Sequence, residues 1–378
     1  MIYLDNSATS YPKPKSVILS TNNALQHLSF NSGRGGYKES IQAAEKIYTV
    51  REKVADMFGF SPQRIIFTKN CTEALNMAIC GRVKKGDHII ISSLEHNSVA
   101  RVVESLQSKG IITYDIAKYS YDEDETVKNF ESKIKPTTTL VVCMHSSNVF
   151  GVTFPIAKIG KLCRKNNIKF VVDGAQGAGI ADINAKRDNI DILCAPGHKS
   201  LLGAMGTGFL AIGDGIDISP FAVGGTGSSS MSLKQPDYYP ERLEAGTLNN
   251  SGIISIGKGI DYINSIGREN MLSHEMSLCA HIYNRLSNID AVKLYTPNPE
   301  KIATMPILSF NLGNYSSEAV ANMMAEHGIC VRAGLHCSPL AHRHFGTIDS
   351  GTVRVSPGFT TTMAECNKFV NVVKNLAN

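Results

Sequence analysis

Several features that the sequence lacks exclude broad classes of protein. The chain has 378 residues and no tryptophan, and none of its apolar runs reaches the roughly 18 residues that a membrane-spanning helix requires. Polar residues follow Met1–Leu4 at once, so we expect no secretion signal. The net charge is only +5, and the Lys and Arg residues are scattered. We therefore expect neither a membrane nor a nucleic acid as partner.

Cysteine spacing gives no sign of disulfides or metal. The chain has nine cysteines, which is an odd number, and no two of them have the Cys-x-x-Cys spacing of a metal site. They are scattered through strand-like and helix-like segments. We expect reduced thiols in a cytoplasmic protein, most of them buried, and no metal site.

The overall composition of the chain is that of an ordinary globular protein. Hydrophobic residues make up 43% of the chain and charged residues 19%, so a large core can form. The length suggests two domains, or one large domain with an appendage. Between Arg64 and Gly208, short apolar runs alternate with helical patterns, which predicts a parallel α/β sheet with right-handed crossovers.

The most informative stretch contains two buried strands that each lead to a chemically useful residue. Lys169–Val172 is a short apolar run that stops at Asp173, and a second run, Ile190–Ala195, leads to Lys199. This pair meets the needs of pyridoxal phosphate (PLP). A Lys holds the aldehyde as a Schiff base, and an Asp keeps the pyridine nitrogen protonated. Taken singly, each of the two residues fits a solvent-facing turn or loop better.

Taken together, the motif Asp-x-x-Gln followed by Gly-His-Lys resembles the class V aminotransferase family of fold-type I PLP enzymes. The resemblance covers essentially the whole chain. It implies an α/β fold with a mostly parallel central sheet flanked by helices, plus a smaller α+β C-terminal domain. We expect a large PLP-binding domain at residues 17–256 and a small domain at residues 1–16 plus 257–378. In the family, the residues matching Gln176 and His198 bind the phenolic oxygen and the phosphate of PLP.

A strand-to-helix turn is the expected site of the cofactor phosphate. The strand Arg64–Thr68 leads to a helix start at which Thr72 is a candidate N-cap. Backbone amides at such a helix start bind phosphate readily. The resemblance assigns Cys71 and Thr72 to this phosphate, although many relatives have a hydroxyl residue in place of Cys71.

Two polar residues beyond the next strands are also matched by the family. His96 follows the strand His88–Ser92, and the matching His stacks on the pyridine ring and can help in proton transfer. Asn148 follows the strand Leu140–His145 and matches an Asn that contacts PLP or the substrate carboxylate. Alone, His96 could equally cap a helix, and Asn148 could be a turn residue.

Two loops indicate a substrate contact and a second subunit. A loop similar to the Gly-rich Asn31–Tyr37 lies close to the active site in the family, which makes Arg34 a candidate substrate contact. The segment Glu241–Asn249 resembles the family motif Arg-x-Glu-x-Gly-Thr, whose Thr reaches the PLP phosphate of the other subunit. The resemblance therefore assigns Thr247 as a contact in trans and implies a homodimer.

One position departs from the family pattern. Pro196 stands where relatives commonly have Ser, and Pro offers neither a hydroxyl nor an amide hydrogen. We expect one phosphate hydrogen bond to be missing, or to be replaced by Ser200 or by a water.

The C-terminal part contains a second informative segment. Longer helices accompany one antiparallel hairpin, with Met305–Leu312 and Ile329–Arg332 as its strands. Cys337 follows, between a strand end and a proline, with His336 beside it, which is unlike a core position. A semi-exposed structural cysteine is the plain alternative.

This segment resembles the cysteine desulfurases, in which a loop after Arg-x-Gly carries the nucleophilic Cys. Because the loop after Arg332 has no long insertion, it resembles the short-loop (type II) cysteine desulfurases and the selenocysteine lyases. Arg354 matches the Arg that grips the substrate α-carboxylate, for which its bidentate fork is suited. Arg332 and Asn148 are further candidate substrate contacts.

The resemblance implies a PLP-dependent cysteine desulfurase that converts L-cysteine to L-alanine. Lys199 takes the Cα proton, and the Cys337 thiolate attacks the substrate sulfur and becomes a persulfide, from which a sulfur-acceptor protein can be loaded. His336 and His342 are candidate helpers of the thiol. Three alternatives stay open: a selenocysteine lyase, a class V aminotransferase or lyase with an incidental Cys337, and an inactive scaffold for sulfur-transfer partners.

Overall fold

The computed structural model describes residues 1–33 and 35–377 of the chain. The helices are α1 (Lys15–His27), α2 (Lys38–Phe58), α3 (Cys71–Cys80), α4 (Asn97–Ser108), α5 (Glu123–Glu131), α6 (Ile156–Lys165), α7 (Ala185–Asp188), α8 (Asn250–Ile266), α9 (Arg268–Leu286), α10 (Ser317–Glu326), α11 (Pro339–His344) and α12 (Met363–Ala377). The strands are β1 (Ile2–Tyr3), β2 (Ile65–Thr68), β3 (Asp87–Ser92), β4 (Ile112–Ala117), β5 (Thr138–Met144), β6 (Lys169–Asp173), β7 (Ile192–Pro196), β8 (Gly208–Ile212), β9 (Val292–Leu294), β10 (Leu308–Leu312), β11 (Ile329–Cys330), β12 (Arg332–Gly334) and β13 (Thr352–Val355).

The largest sheet has the strand order β2-β8-β7-β6-β5-β3-β4. Its neighbouring strands run parallel except at β8, which is antiparallel to both β2 and β7. The central strands are apolar along almost their whole length because both of their faces are covered by helices. The expected mostly parallel α/β sheet is confirmed.

The two faces of this sheet bury separate hydrophobic clusters. Alternate residues of β6 point to opposite sides, so Phe170 and Val172 join one cluster and Val171 joins the other. The first cluster includes side chains from α2, α6 and α8. The second includes side chains from α3 and α4. The sheet is therefore the middle layer of three, and its carboxyl edge is left open for a site.

The C-terminal part adds a four-stranded antiparallel sheet of order β12-β13-β10-β9, and β1 pairs in parallel with β11. The expected hairpin between residues 305–312 and 329–332 is therefore wrong, since β13 lies between β10 and β12. A third cluster buries Leu4 of the N-terminal segment together with residues of α9, α12 and these strands. The division into domains at residues 17–256 and 1–16 plus 257–378 stays a prediction.

None of the helices in the described part of the chain combines the length and the apolar character that crossing a membrane requires. The amphipathic helices instead pack their apolar faces against the sheet. α4 shows this well, since Val99 and Val103 are fully buried against it while Arg101 and Glu104 are exposed.

Candidate active site

A cavity with about 530 Å³ of empty space lies at the carboxyl ends of β5, β6 and β7. Open α/β sheets bind small molecules at the carboxyl ends of their parallel strands. Its walls are formed by Asn70, Cys71, Thr72, His96, Ser98, Met144, Ser146, Asn148, Asp173, Ala175, Gln176, Pro196, His198 and Lys199. Most of the predicted cofactor residues are therefore brought together, although they come from distant parts of the chain.

Lys199 lies just beyond β7, where it shares this cavity with Asp173. Burial lowers the pKa of Lys199 to about 8, and the nearby positive charge of Arg354 acts in the same direction. The negative charge of Asp173 opposes the shift. A lysine with this pKa is partly neutral near pH 8, and only a neutral amine is a nucleophile or a base.

The carboxyl group of Asp173 is held from one side only. Its Oδ1 accepts a hydrogen bond from the Ala175 amide at 2.9 Å and is 3.5 Å from the Cys71 thiol. Among the described residues, none donates a hydrogen bond to Oδ2. Burial raises the pKa of Asp173, because the charged form is poorly solvated there. The carboxyl group therefore has one oxygen available for a positively charged N–H group in the cavity.

The start of α3 carries free amides at one end of the cavity. The N-cap is Asn70, whose Oδ1 accepts from the Glu73 amide at 2.8 Å, so the prediction that Thr72 caps this helix is wrong. Thr72 lies inside the first turn, and no described residue accepts from its amide or from that of Cys71. These two amides and the Thr72 hydroxyl suit an anion.

His198 and Gln176 complete this side of the site. His198 Nδ1 is buried without a hydrogen-bond partner among the described residues. Burial lowers its pKa to about 4, so the ring is neutral at pH 7. Gln176 donates from Nε2 to the Ser7 carbonyl at 3.1 Å. Ser200, the candidate replacement for the hydroxyl that Pro196 lacks, lines a neighbouring cavity and not this one.

His96 is fixed in one orientation and one tautomer. It is the N-cap of α4, and its Nδ1 accepts from the Ser98 amide at 3.0 Å. Because an amide can only donate, the neutral ring carries its hydrogen on Nε2. Burial lowers the pKa of His96 to about 4, and the positive charges of Lys199 and Arg332 add to this shift. His96 therefore offers a flat, uncharged ring to the cavity.

The loop with Cys337 docks at the edge of the same cavity. The Cys337 side chain is exposed, whereas its carbonyl accepts from the Asn97 amide at 2.8 Å, next to His96. His336 and Cys337 have φ angles of 51° and 57°, in the left-handed region that non-glycine residues rarely adopt. Such backbone costs about 1–3 kcal/mol per residue and persists only where the surroundings enforce it.

Asn148 joins this loop to the cavity. Its Nδ2 donates to the His336 carbonyl at 2.9 Å, and its Oδ1 accepts from the Ser338 hydroxyl at 2.7 Å. Its own carbonyl accepts from Arg354 Nη1 at 2.8 Å. Both ends of the Asn148 side chain are therefore occupied by the residues on either side of Cys337.

The two histidines near Cys337 are buried inside the protein. Burial lowers the pKa of His336 to about 2 and that of His342 to about 4. Their rings stack with centroids 5.8 Å apart. A base with so low a pKa does not hold a proton at pH 7, so the expectation that these histidines assist the thiol gains no support.

Arg354 is 1% exposed and is already paired. Its Nη2 donates to Asp5 Oδ1 at 2.6 Å, and burial lowers the pKa of its guanidinium. Its Nε is buried without a partner among the described residues. Arg332 faces it across the pairing of β12 with β13. The two arginines lie beside the cavity and raise its positive potential, although neither forms its wall.

Two predicted contacts lie elsewhere. Thr247 is exposed and is not part of the cavity wall in this chain. Arg34 lies outside the described residues.

Sequence reasoning gave no role to three residues that hold the site. These are Asp5, Glu95 and Ser338. Glu95 is fully buried behind His96, where its Oε1 accepts from the Met144 amide at 2.8 Å, and burial raises its pKa to about 8. Asp5 stands directly after the apolar run Ile2–Leu4, which is a signal that could have indicated it, whereas Glu95 follows two serines and a leucine. Ser338 has no such signal.

Comparisons with known proteins show which family the chain resembles. The sequence matches the family model described as aminotransferase class-V over residues 2–369. It is 32% identical to a probable cysteine desulfurase of Methanothermobacter thermautotrophicus, over 100% of this chain and 94% of the relative. It is 29% identical to a cysteine desulfurase of Escherichia coli O8, over 89% and 84% of the two chains. An apo structure of a cysteine desulfurase from Thermococcus onnurineus superposes with a TM-score of 0.93 at 32% identity, covering 100% and 94%.

Proposed function

Because the chain belongs to the class V aminotransferase family, whose members depend on PLP, we propose that it is a cysteine desulfurase that forms a persulfide on Cys337. The single observation that carries the proposal is an arrangement in space. Lys199 and Asp173 line one cavity, and Asn148 of the same cavity bonds both neighbours of Cys337. An exposed thiol held at the edge of a PLP-type site is what sulfur transfer requires.

The residues present fit PLP at each of its polar groups. Lys199 would hold the aldehyde carbon, and the free oxygen of Asp173 would accept from the ring N–H. The unpaired amides of Cys71 and Thr72, with the Thr72 hydroxyl and His198, would hold the phosphate. Gln176 would face the phenolic oxygen, and His96 would stack on the ring. When bound, PLP supplies an electron sink for the electrons of the broken Cα–H bond.

The protein's own groups then carry out the remaining steps. Arg354 orients the substrate carboxylate, with Asn148, Arg332 and Arg34 as further contacts. Lys199, whose lowered pKa leaves it partly neutral, removes the Cα proton.

The sulfur is transferred in a balanced exchange. The Cys337 thiolate attacks the substrate sulfur, so that an S–S bond forms as the Cβ–S bond breaks. The Cβ carbon gains a proton and becomes a methyl group, Lys199 returns a proton to Cα, and the product leaves as L-alanine. Cys337 keeps the sulfur as a persulfide, which a sulfur-acceptor protein can remove.

The proposed enzyme is a homodimer of two-domain subunits in the cytoplasm. The exposed Thr247 would reach the phosphate in the second subunit of a homodimer. The small domain, formed by residues 1–16 plus 257–378, would carry the Cys337 loop against the large domain at residues 17–256. The free cysteines of the described chain suit a reducing cytoplasm.

The test compares the wild type with Cys337→Ala in one assay. We expect an absorbance band at about 420 nm in both proteins, since Lys199 and Asp173 are intact. Only the wild type should release equal amounts of alanine and sulfide from L-cysteine under reductant. A protein without the band, or a variant that forms alanine and sulfide as fast as the wild type, would refute the desulfurase. Activity that requires a keto acid and ignores Cys337 would indicate an aminotransferase.

A further inference from the structure

Ser338 follows Cys337 directly and is fully buried. Its hydroxyl donates to Asn148 Oδ1 at 2.7 Å, which is the usual length for this pair of groups. Its amide donates to the Leu335 carbonyl at 2.8 Å. The residue beside an exposed thiol is thus attached to the protein interior through both its side chain and its backbone.

Asn148, which accepts this hydrogen bond, is held in place by further hydrogen bonds. Asn148 is itself buried, and its Nδ2 is used by the His336 carbonyl at 2.9 Å. Its backbone carbonyl is held by Arg354 at 2.8 Å. The Asn148 carboxamide therefore spans the loop from the residue before Cys337 to the residue after it.

The two residues before Ser338 have a backbone conformation that the surroundings must enforce. His336 and Cys337 both have positive φ angles, and the Cys337 carbonyl is fixed by the Asn97 amide at 2.8 Å. Without these bonds the two residues would relax toward the common regions of φ and ψ. The Cys337 side chain would then leave the edge of the cavity, although nothing in its own chemistry would change.

We propose that Ser338 is a positioning residue for the proposed sulfur transfer, on which this inference rests, and that it acts by fixing the backbone of Cys337 through Asn148. Ser338 does not line the cavity, and its hydroxyl reaches the site only through the hydrogen bond to Asn148. Its effect is to keep the thiol sulfur within reach of a sulfur atom in the cavity. A displacement of about 1 Å in a reacting atom can lower a rate about 100-fold, so loss of one bond in this clamp should be visible in turnover.

The experiment uses Ser338→Ala, Ser338→Thr and a matched control, Thr126→Val. Thr126 is also fully buried, and its hydroxyl donates to the Ser120 carbonyl at 2.9 Å in a different part of the chain. Two quantities are measured on the full-length protein with PLP bound. The first is hydrogen exchange of the backbone amides of residues 335–338, and the second is steady-state alanine formation from L-cysteine.

We expect Ser338→Ala to speed amide exchange at residues 335–338 and to lower kcat about 10-fold, with KM and the absorbance of bound PLP unchanged. Ser338→Thr keeps the hydroxyl and should recover most of kcat. Thr126→Val should leave exchange at residues 335–338 and kcat as in the wild type. This pattern separates positioning from a general loss of stability.

Three results would overturn the proposal: a kcat of Ser338→Ala within twofold of the wild type, unchanged exchange at residues 335–338, or a Ser338→Thr variant as slow as Ser338→Ala. A wild type that forms no alanine would instead overturn the proposed function. Hydrogen exchange alone would then test whether Ser338 fixes the backbone of Cys337. Faster exchange at residues 335–338 in Ser338→Ala would support this role, and unchanged exchange would refute it.

Discussion

Arg354 and Asp5 form an ion pair, with Nη2 and Oδ1 2.6 Å apart and the arginine side chain 1% exposed. The pair joins the N-terminal segment to β13, two parts of the chain that are 349 positions apart. It also places a guanidinium beside the cavity, where its charge lowers the pKa of Lys199. The same bond thus supports both the fold and the proposed chemistry.

Asp5→Asn should destabilise the protein and weaken substrate binding. Removing one charge of a buried pair leaves the other uncompensated, so the free energy of unfolding should fall by about 3 kcal/mol. Urea unfolding measures this loss, and KM for L-cysteine should rise because Arg354 is no longer held. Asp237→Asn is the control, since Asp237 pairs with Arg242 at 3.4 Å and is 98% exposed. A surface pair of this kind should change stability by less than about 1 kcal/mol.

The strand ends could be predicted from the sequence because each one has a local signal. The apolar run before Asp173 and the run before Lys199 predict buried parallel strands. Parallel strands of one sheet bring their carboxyl ends to one edge, so the two residues had to lie near each other.

The partners of these residues could not be predicted in the same way. Asn70 and Thr72 are both good N-caps, and the choice between them depends on where α3 begins after β2. The hairpin prediction failed because β13, which comes later in the chain, takes the place beside β10. The bond between Ser338 and Asn148 spans 190 positions, and no local pattern reports a contact of that range.

Cys71→Ala should weaken cofactor binding. The Cys71 thiol donates to Asp173 Oδ1 at 3.5 Å and favours the ionised form of that carboxyl, so its loss should raise the pKa of Asp173. A less ionised Asp173 holds a protonated ring nitrogen less well. We expect the Kd for PLP, measured by titration of the apoprotein, to rise severalfold.

Cys71→Ser is the matched control, because a hydroxyl donates a stronger hydrogen bond than a thiol. It should bind PLP at least as tightly as the wild type. If the Ala and Ser variants bound PLP equally well, the thiol would have no influence on Asp173.

Glu275 makes stability depend on pH. It lines a second cavity with Met271 and Phe359, and no described residue forms a hydrogen bond or ion pair with it. Burial raises its pKa from the ordinary 4.5 to about 8 in the folded protein. Between these values the unfolded chain has lost the proton while the folded chain keeps it, so the contribution of Glu275 to stability falls as pH rises from about 4.5 to about 8.

Glu275→Gln should remove this dependence. Thermal unfolding at pH 5 and pH 8 measures it, and we expect the variant to gain in Tm over the wild type more at pH 8 than at pH 5. Glu95 has a similarly raised pKa, so part of the wild-type slope should remain. An equal difference in Tm at the two pH values would show that Glu275 ionises normally in the folded state.

Removing one partner of the buried ion pair between Arg51 and Glu244 should lower the free energy of unfolding more than replacing both partners with apolar residues. Both side chains are about 95% buried, and Glu244 Oε1 also accepts from the Phe67 amide at 2.6 Å. Glu244→Leu leaves the Arg51 charge unpaired, which should cost about 4 kcal/mol in unfolding free energy. The double variant Arg51→Met with Glu244→Leu removes both charges and should be more stable than Glu244→Leu alone.

The contrast with a more exposed pair tests whether burial is the cause. Lys53 and Asp261 form an ion pair whose side chains are 32% and 36% exposed. Lys53→Met should therefore cost less than about 1 kcal/mol. Urea unfolding of the wild type, Glu244→Leu, Arg51→Met and the double variant forms a double-mutant cycle for the buried pair. Because Glu244 ties the segment of Thr247 to β2, Glu244→Leu should also weaken the proposed homodimer, whereas Lys53→Met should not. Equal costs for the two single variants would mean that burial does not set the strength of the Arg51–Glu244 pair.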